Sequence, residues 1–156
     1  MIREMSQADI QQVSDLLCES TRCLAAREGF SSCQLNDMIQ NRCSVESLAK
    51  QYELYQIHVY IDSPNVLGMV AVHGNELAKL YVRPDNHRQG IGRALFSFAE
   101  ELINAEHTEM YLGAFPSAVP FYEEMGMFMK EWKTIDCGPL KGTRQPIMAK
   151  AWSTGK

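Results

Sequence analysis

The sequence predicts an α+β fold: a mixed, mostly antiparallel twisted sheet of about seven strands, with a central βαβ unit and flanking helices, in one domain over residues 1–156. Three observations lead there. Apolar residues recur at helical spacing through the first third of the chain. From Tyr55 the pattern changes to β-branched and aromatic segments separated by short turns. Near the middle, residues 77–100 read as a strand, a donor-rich loop and a helix that begins at two glycines.

Taken in order, residues 2–5 form a short strand. Ser6 followed by Asp9 resembles a capping box and opens a helix. Ile10, Val13, Leu16, Leu17 and Leu24 make its apolar stripe, and Gly29 stops it. Residues 31–42, with Leu35, Met38 and Ile39, form a second short helix, and Ser44 caps another through Tyr52. Strands follow at 56–61, 66–72 and 76–82, joined by turns at 62–65 and 73–75. Pro84 ends this meander because proline offers no ladder donor. The helix after Gly92 is expected to bury Ala94, Leu95, Phe98, Leu102 and Ile103 on the sheet. A strand at 109–114 closes a crossover unit and should run parallel to the one ending at Val82. A short helix at 118–125 stops at Gly126, a strand covers 127–135, and 138–144 is loop. Residues 146–152 form a last strand, of edge type because it carries Pro146.

The chain has 156 residues, 46% hydrophobic and 22% charged, which is ordinary for one globular domain. A net charge of -4 argues against nucleic acid as the main partner. No apolar run has the length of a membrane span, and the first residues lack a signal-peptide core, so no membrane partner is expected and a cytoplasmic location is. The five cysteines form no Cys-x-x-Cys pair and no histidine stands at zinc-ligand spacing, so neither a disulfide framework nor a metal is expected. The residues do not fix the oligomeric state, and a homodimer stays open.

A strand feeding a glycine turn and a helix N-terminus presents unpaired N–H groups to one point, which is an anion site. Three glycine-loop chemistries compete for it. A Walker loop needs Gly-x-x-x-x-Gly-Lys-Ser/Thr, which the chain lacks. A dinucleotide fingerprint needs a small residue three places after its second glycine, where Leu95 stands. The third is the pyrophosphate loop of acetyl-CoA-dependent N-acetyltransferases.

The segment Leu80-Tyr-Val-Arg-Pro-Asp-Asn-His-Arg-Gln-Gly-Ile-Gly-Arg-Ala-Leu95 resembles the main motif of the GNAT superfamily: an apolar strand end, a proline, then Arg/Gln-x-x-Gly-x-Gly/Ala and a helix. At the family's usual distance, Ala118-Val-Pro-Phe-Tyr-Glu-Glu-Met-Gly126 is similar to its Ala-x-x-Phe-Tyr-x-x-x-Gly-Phe block. Two positions depart from the pattern. His87 stands where Arg or Gln is usual, and Phe115 where many members carry an asparagine.

The resemblance implies a GNAT-like fold and an enzyme that moves an acetyl group from acetyl-CoA to the primary amine of a small or amino-acid-like acceptor, by direct attack in a ternary complex. It implies that the backbone of Leu80, Tyr81 and Val82 pairs with the pantetheine arm. Amides of His87, Arg88, Gln89, Gly90, Ile91, Gly92 and Arg93 would hold the pyrophosphate, with charge from Arg88 and Arg93, and Phe121 belongs to the cofactor side. Tyr122 becomes the candidate acid for the leaving thiolate, since a phenol titrates near about 10. Its alternative is an aromatic core position beside Phe121. Glu76 is the candidate base: six residues before Val82 on one strand, alternation puts both side chains on one face. His73 in the preceding turn is a second base, and proton removal through a water chain a third route. The acceptor groove would involve residues 28–41 and 138–145, with Phe30, Gln34, Asp37, Lys141 and Arg144, a set of no single charge sign. Alternatives are a non-catalytic acyl-CoA-binding module, a protein N-terminal or lysine acetyltransferase, and a different phosphate-ligand enzyme.

Overall fold

The computed structural model describes residues 1–152; residues 153–156 of the expected domain lie outside them. Seven strands make one sheet: β1 (Ile2–Glu4), β2 (Gln56–Asp62), β3 (Asn65–His73), β4 (Glu76–Val82), β5 (Glu109–Gly113), β6 (Phe128–Thr134) and β7 (Arg144–Ala151). Their spatial order is β1-β2-β3-β4-β5-β7-β6. All neighbours are antiparallel except β4 and β5, which are parallel as the crossover requires. The helices are α1 (Ile10–Glu28), α2 (Ser32–Met38), α3 (Val45–Leu54), α4 (Ile91–Asn104) and α5 (Val119–Glu124).

Local chemistry sets several boundaries. The Ser6 amide and hydroxyl both donate to the Asp9 carboxylate, at 2.8 and 3.1 Å. Arg3 of β1 clamps the same carboxylate at 2.7 Å and holds it down at a pKa of about 2. α1 stops at Gly29, whose φ of 73° lets its N–H reach back to the Ala25 carbonyl. Ser31 and Ser44 cap α2 and α3 through their hydroxyls. Between these helices the chain does not simply stop. It continues from α2 as a wider π turn over Ile39–Cys43.

Two expectations are corrected. The last strand is not an edge: β7 lies between β5 and β6, and the exposed β6 is the edge. Pro146 fits inside because its carbonyl still accepts, from the Ala114 N–H at 2.9 Å, while its side chain is buried. The buried stripe of α4 is also rotated from the expected one. Ile91, Leu95, Phe96, Ala99 and Ile103 are buried, whereas Ala94, Phe98 and Leu102 are half-buried on the flank. Both stripes are apolar, so only packing selects between them.

The sheet has a core on each face. On one, α4 and α5 cover Val70, Val72, Leu77, Leu112 and Met148. On the other, α1 and α3 cover Ile57, Val59, Met69 and Ala71. Gly68 of β3 sets how closely α4 approaches. A Cβ there would meet Leu95 Cδ1 at 2.8 Å, the Tyr81 carbonyl oxygen at 3.0 Å and Ile91 Cγ2 at 3.2 Å. Gly68→Ala is therefore expected to destabilise by about 1–3 kcal/mol, read as a lower urea midpoint at unchanged slope. An unchanged midpoint would show that the first turn of α4 yields freely.

Candidate active site

β4 and β5 are in register at one pair, Glu76 with Tyr111, and then separate. β5 continues on β7 and β4 on β3, so the facing edges of residues 77–82 and 112–114 are left without ladder partners. A cavity of about 630 Å³ opens between them. β4 also carries a bulge: Val72 faces Leu77 but Ala71 faces Lys79, so Ala78 is the extra residue. The bulge reverses the alternation. Leu77, Leu80 and Val82 point to the α4 side, while Glu76, Lys79 and Tyr81 share the α1–α3 side. Glu76 and Val82 are thus on opposite faces, contrary to the simple count of six.

The cleft ends at the start of α4. After a 3-10 turn at Pro84–Asn86, the loop takes a left-handed conformation at Arg88 (φ 65°) and Gly90 (φ 83°). At Arg88, a residue with a Cβ, this costs roughly 1–2 kcal/mol. Gly90 is the N-cap and has no side chain to cap the helix. The Ala94 N–H takes the Gly90 carbonyl at 3.0 Å, and the amides before it lack helical partners. Arg88 and Arg93 stand at this end of the cavity, and Arg27 lines it from α1. Arg93 reaches Glu124 at 2.9 Å, but both groups are exposed and the pair is weak.

The sequence-derived residues fall as follows. Leu80, Tyr81, Val82, His87, Arg88, Gly90, Gly92, Arg93, Phe121 and Tyr122 line the cavity. Ile91 turns its side chain into the core beneath Gly68, so only its backbone could take part. Gln89 accepts from Asn86 Nδ2 at 3.4 Å and does not line the cavity. The His87 ring donates from Nε2 to the Val82 carbonyl at 3.0 Å, which Ser20 Oγ also approaches at 3.3 Å. The unusual histidine therefore ties the loop to the end of β4. Glu76 stands at the paired end of the strands and does not line this cavity; burial, aided by the Glu76 carboxylate, pushes the Tyr111 phenol up. His73 is exposed and meets Tyr55 edge-on at 5.7 Å.

Tyr122 packs against Phe121 and Phe96, with ring centroids 5.2 and 6.1 Å away. Burial, aided by neighbouring Tyr81, drives its phenol well above the ordinary value. Among the described residues its hydroxyl has no hydrogen-bond partner. It is a neutral donor at the cavity wall, available to whatever enters.

A second cavity of about 390 Å³ lies on the α1–α3 side. Ala78, Lys79, Tyr81, Gly113 and Phe115 line both cavities, so the two meet across the gap between β4 and β5. Phe115, the other departure from the motif, stands at this junction and packs on Phe30 at 5.9 Å. Gly113 leaves room for Gln145 to cross β5: a Cβ would lie 2.7 Å from its amide group. Of the expected groove segments, Met38, Asn41 and Gln145 line this cavity, but Phe30, Gln34, Asp37, Lys141 and Arg144 do not.

Sequence reasoning missed Arg27 and Ser20 on the cleft, although with Leu24 they form an i, i+4, i+7 stripe on α1. It also missed Arg42, Lys50, Gln51 and Lys79 in the second cavity. Lys79 had a readable signal, a charged residue inside an otherwise apolar strand. Among the described residues there is no metal-binding group of three or more His, Cys, Asp or Glu, and no helix long and apolar enough to cross a membrane.

The model of the Acetyltransferase (GNAT) domain family matches residues 25–135. Several solved structures share the fold. A GCN5-related N-acetyltransferase (aminotransferase, class II) from Rhodopseudomonas palustris superposes with a TM-score of 0.85 at 19% identity, over 97% of this chain and 94% of that one. The PaiA N-acetyltransferase of Thermoplasma acidophilum, solved with coenzyme A, gives 0.76 at 20% identity over 97% and 98%. An aminoglycoside 6'-acetyltransferase type Ii gives 0.71 at 19% identity over 97% and 96%. Among curated protein sequences none matches this chain.

Proposed function

From the premise that the chain belongs to the GNAT acetyltransferase family, we propose that it is an N-acetyltransferase that moves an acetyl group from acetyl-CoA to the primary amine of a small molecule. The observation that carries this reading is the two-sided gap. The unpaired edges of β4 and β5 lead at one end to the uncapped start of α4, and on the far side they open into a second cavity.

The residues present fit a CoA-type ligand. The open amides from Arg88 to Arg93, with the helix dipole and the arginines, suit a pyrophosphate. The free edge at Leu80 and Tyr81 suits the amide groups of a pantetheine arm. When bound, acetyl-CoA supplies a thioester. The chain's task is then to hold an amine against it, and positioning accounts for most of the rate. An unpaired N–H of the β4 edge, near Val82, stabilises the developing oxyanion. Tyr122 donates a proton to the departing thiolate. Glu76 is the carboxylate on the acceptor face of β4, outside both cavity walls, so its part as base runs through water.

Calorimetry with acetyl-CoA, CoA and ATP, followed by thiol release over an amine library, tests the reading. Both CoA species should bind and ATP should not, and release should depend on the amine. Binding of acetyl-CoA with no amine-dependent release would leave a CoA-binding module. No heat with either CoA species would end the proposal.

A further inference from the structure

The second cavity has a charge pattern that its entrance segments hide. Arg42, Lys50 and Lys79 line it, and no Asp or Glu does. None of the three is in an ion pair among the described residues, in a chain whose net charge is negative. Lys79 is only partly exposed and projects from the bulged stretch of β4, with Nζ 3.3 Å from the Arg42 carbonyl oxygen. That carbonyl belongs to the π turn and is also bonded by Gln51 Nε2 at 3.2 Å. The π turn, α3 and β4 thus bring one cation each to the wall of the same cavity. Burial lowers the Lys79 pKa to about 8, and the positive charge of Arg42 works in the same direction. Gln51 in the same wall donates from Nε2 to the Arg42 carbonyl at 3.2 Å and to Ser47 Oγ at 2.8 Å, which ties the π turn to α3.

Resting on the acetyltransferase reading, we propose that this cavity selects an amine that also carries a carboxylate, a free amino acid or a small analogue of one. Arg42, Lys50 and Lys79 receive the acid group. The amine then faces the junction at Tyr81 and Gly113, where the cofactor cleft begins. A polyamine or an aminoglycoside would bring further positive charge against three cations, with no acid in the wall to receive it.

The test is a thiol-release assay on matched sets: an amino acid, its amide, its decarboxylated amine, a polyamine and an aminoglycoside. The acid should exceed its amide by about tenfold or more in kcat/KM, the worth of a charged hydrogen bond. Arg42→Ala should raise KM for the acid by about tenfold at nearly constant kcat, Arg42→Lys should recover part of it, and CoA affinity should not move. Equal or better use of the amide, or preference for the polyamine, overturns the inference and leaves acetyl transfer standing. If CoA binds but no amine is acetylated, calorimetry of the N-acetyl acid on the CoA-loaded protein decides. Binding that Arg42→Ala abolishes upholds the anion site, and no binding overturns it. If CoA itself fails to bind, the parent reading falls, and the acid against its amide on the protein alone decides this one in the same way.

Discussion

Tyr122→Phe is expected to lower kcat by about a hundredfold or more, while affinity for CoA stays within about twofold. The substitution keeps the ring against Phe96 and Phe121, so it removes a proton and little packing. A departing thiolate has an ordinary pKa of about 8.5, and a phenol can protonate it only if the phenol keeps its own proton until then. An ordinary phenol already meets this condition at neutral pH; burial pushes Tyr122 further up, which keeps it neutral far into the alkaline range and makes it a weaker acid than a free phenol. The sign has a second consequence. Because the phenol is protonated throughout the neutral and mildly alkaline range, it produces no alkaline fall in kcat there, and a rise with pH reports loss of the amine proton. Stopped-flow thiol release and CoA calorimetry on the variant check this, and equal rates for variant and parent would remove Tyr122 as the acid.

Gly92→Asp is expected to weaken CoA binding by about a hundredfold without lowering thermal stability. A Cβ at Gly92 meets Phe121 at 3.6 Å and Val82 at 3.8 Å, which is ordinary contact, so the fold accepts a side chain. A carboxylate in the first turn of α4 interacts favourably with the helix dipole, worth about 0.3–1 kcal/mol. The same carboxylate stands among the amides offered to a pyrophosphate, and two like charges about 4 Å apart near a protein surface repel by about 4 kcal/mol. Stability and affinity should therefore move in opposite directions. A variant that binds CoA as tightly as the parent would show that the phosphate does not sit at this helix end. A variant that melts early would show that Gly92 is needed for packing.

Much of the fold was legible because it is written in local chemistry. The boundaries of β4, the stop at Gly29, the serine caps and the break at Gly126 each follow from a residue whose own backbone or side-chain preference decides the matter. The parallel arrangement of β4 and β5 follows from a crossover helix of ordinary length. What could not be read was whatever depends on a competition between equal local choices. α4 has two apolar stripes, and the close approach at Gly68 selects the one with Phe96 and Ala99. Pro146 reads as an edge residue until its carbonyl finds Ala114. Counting residues along β4 places Glu76 with Val82, and one bulge at Ala78 places it with Lys79 instead.

By itself the sequence determined the stretch proposed to take the cofactor: a strand end, a glycine loop and a helix start are contiguous in the chain, so their order alone marks a candidate anion site and its motif. The cavity proposed for the acceptor was decided only by tertiary structure. Arg42 comes from a π turn, Lys50 and Gln51 from α3, Lys79 from β4 and Gln145 from β7, and no spacing links them along the chain. They become one cavity because a bulge turns Lys79 toward the helices and because β5 leaves β4 for β7. A cluster of like charges is a property of groups that meet through space, and so it appears only once the sheet has formed.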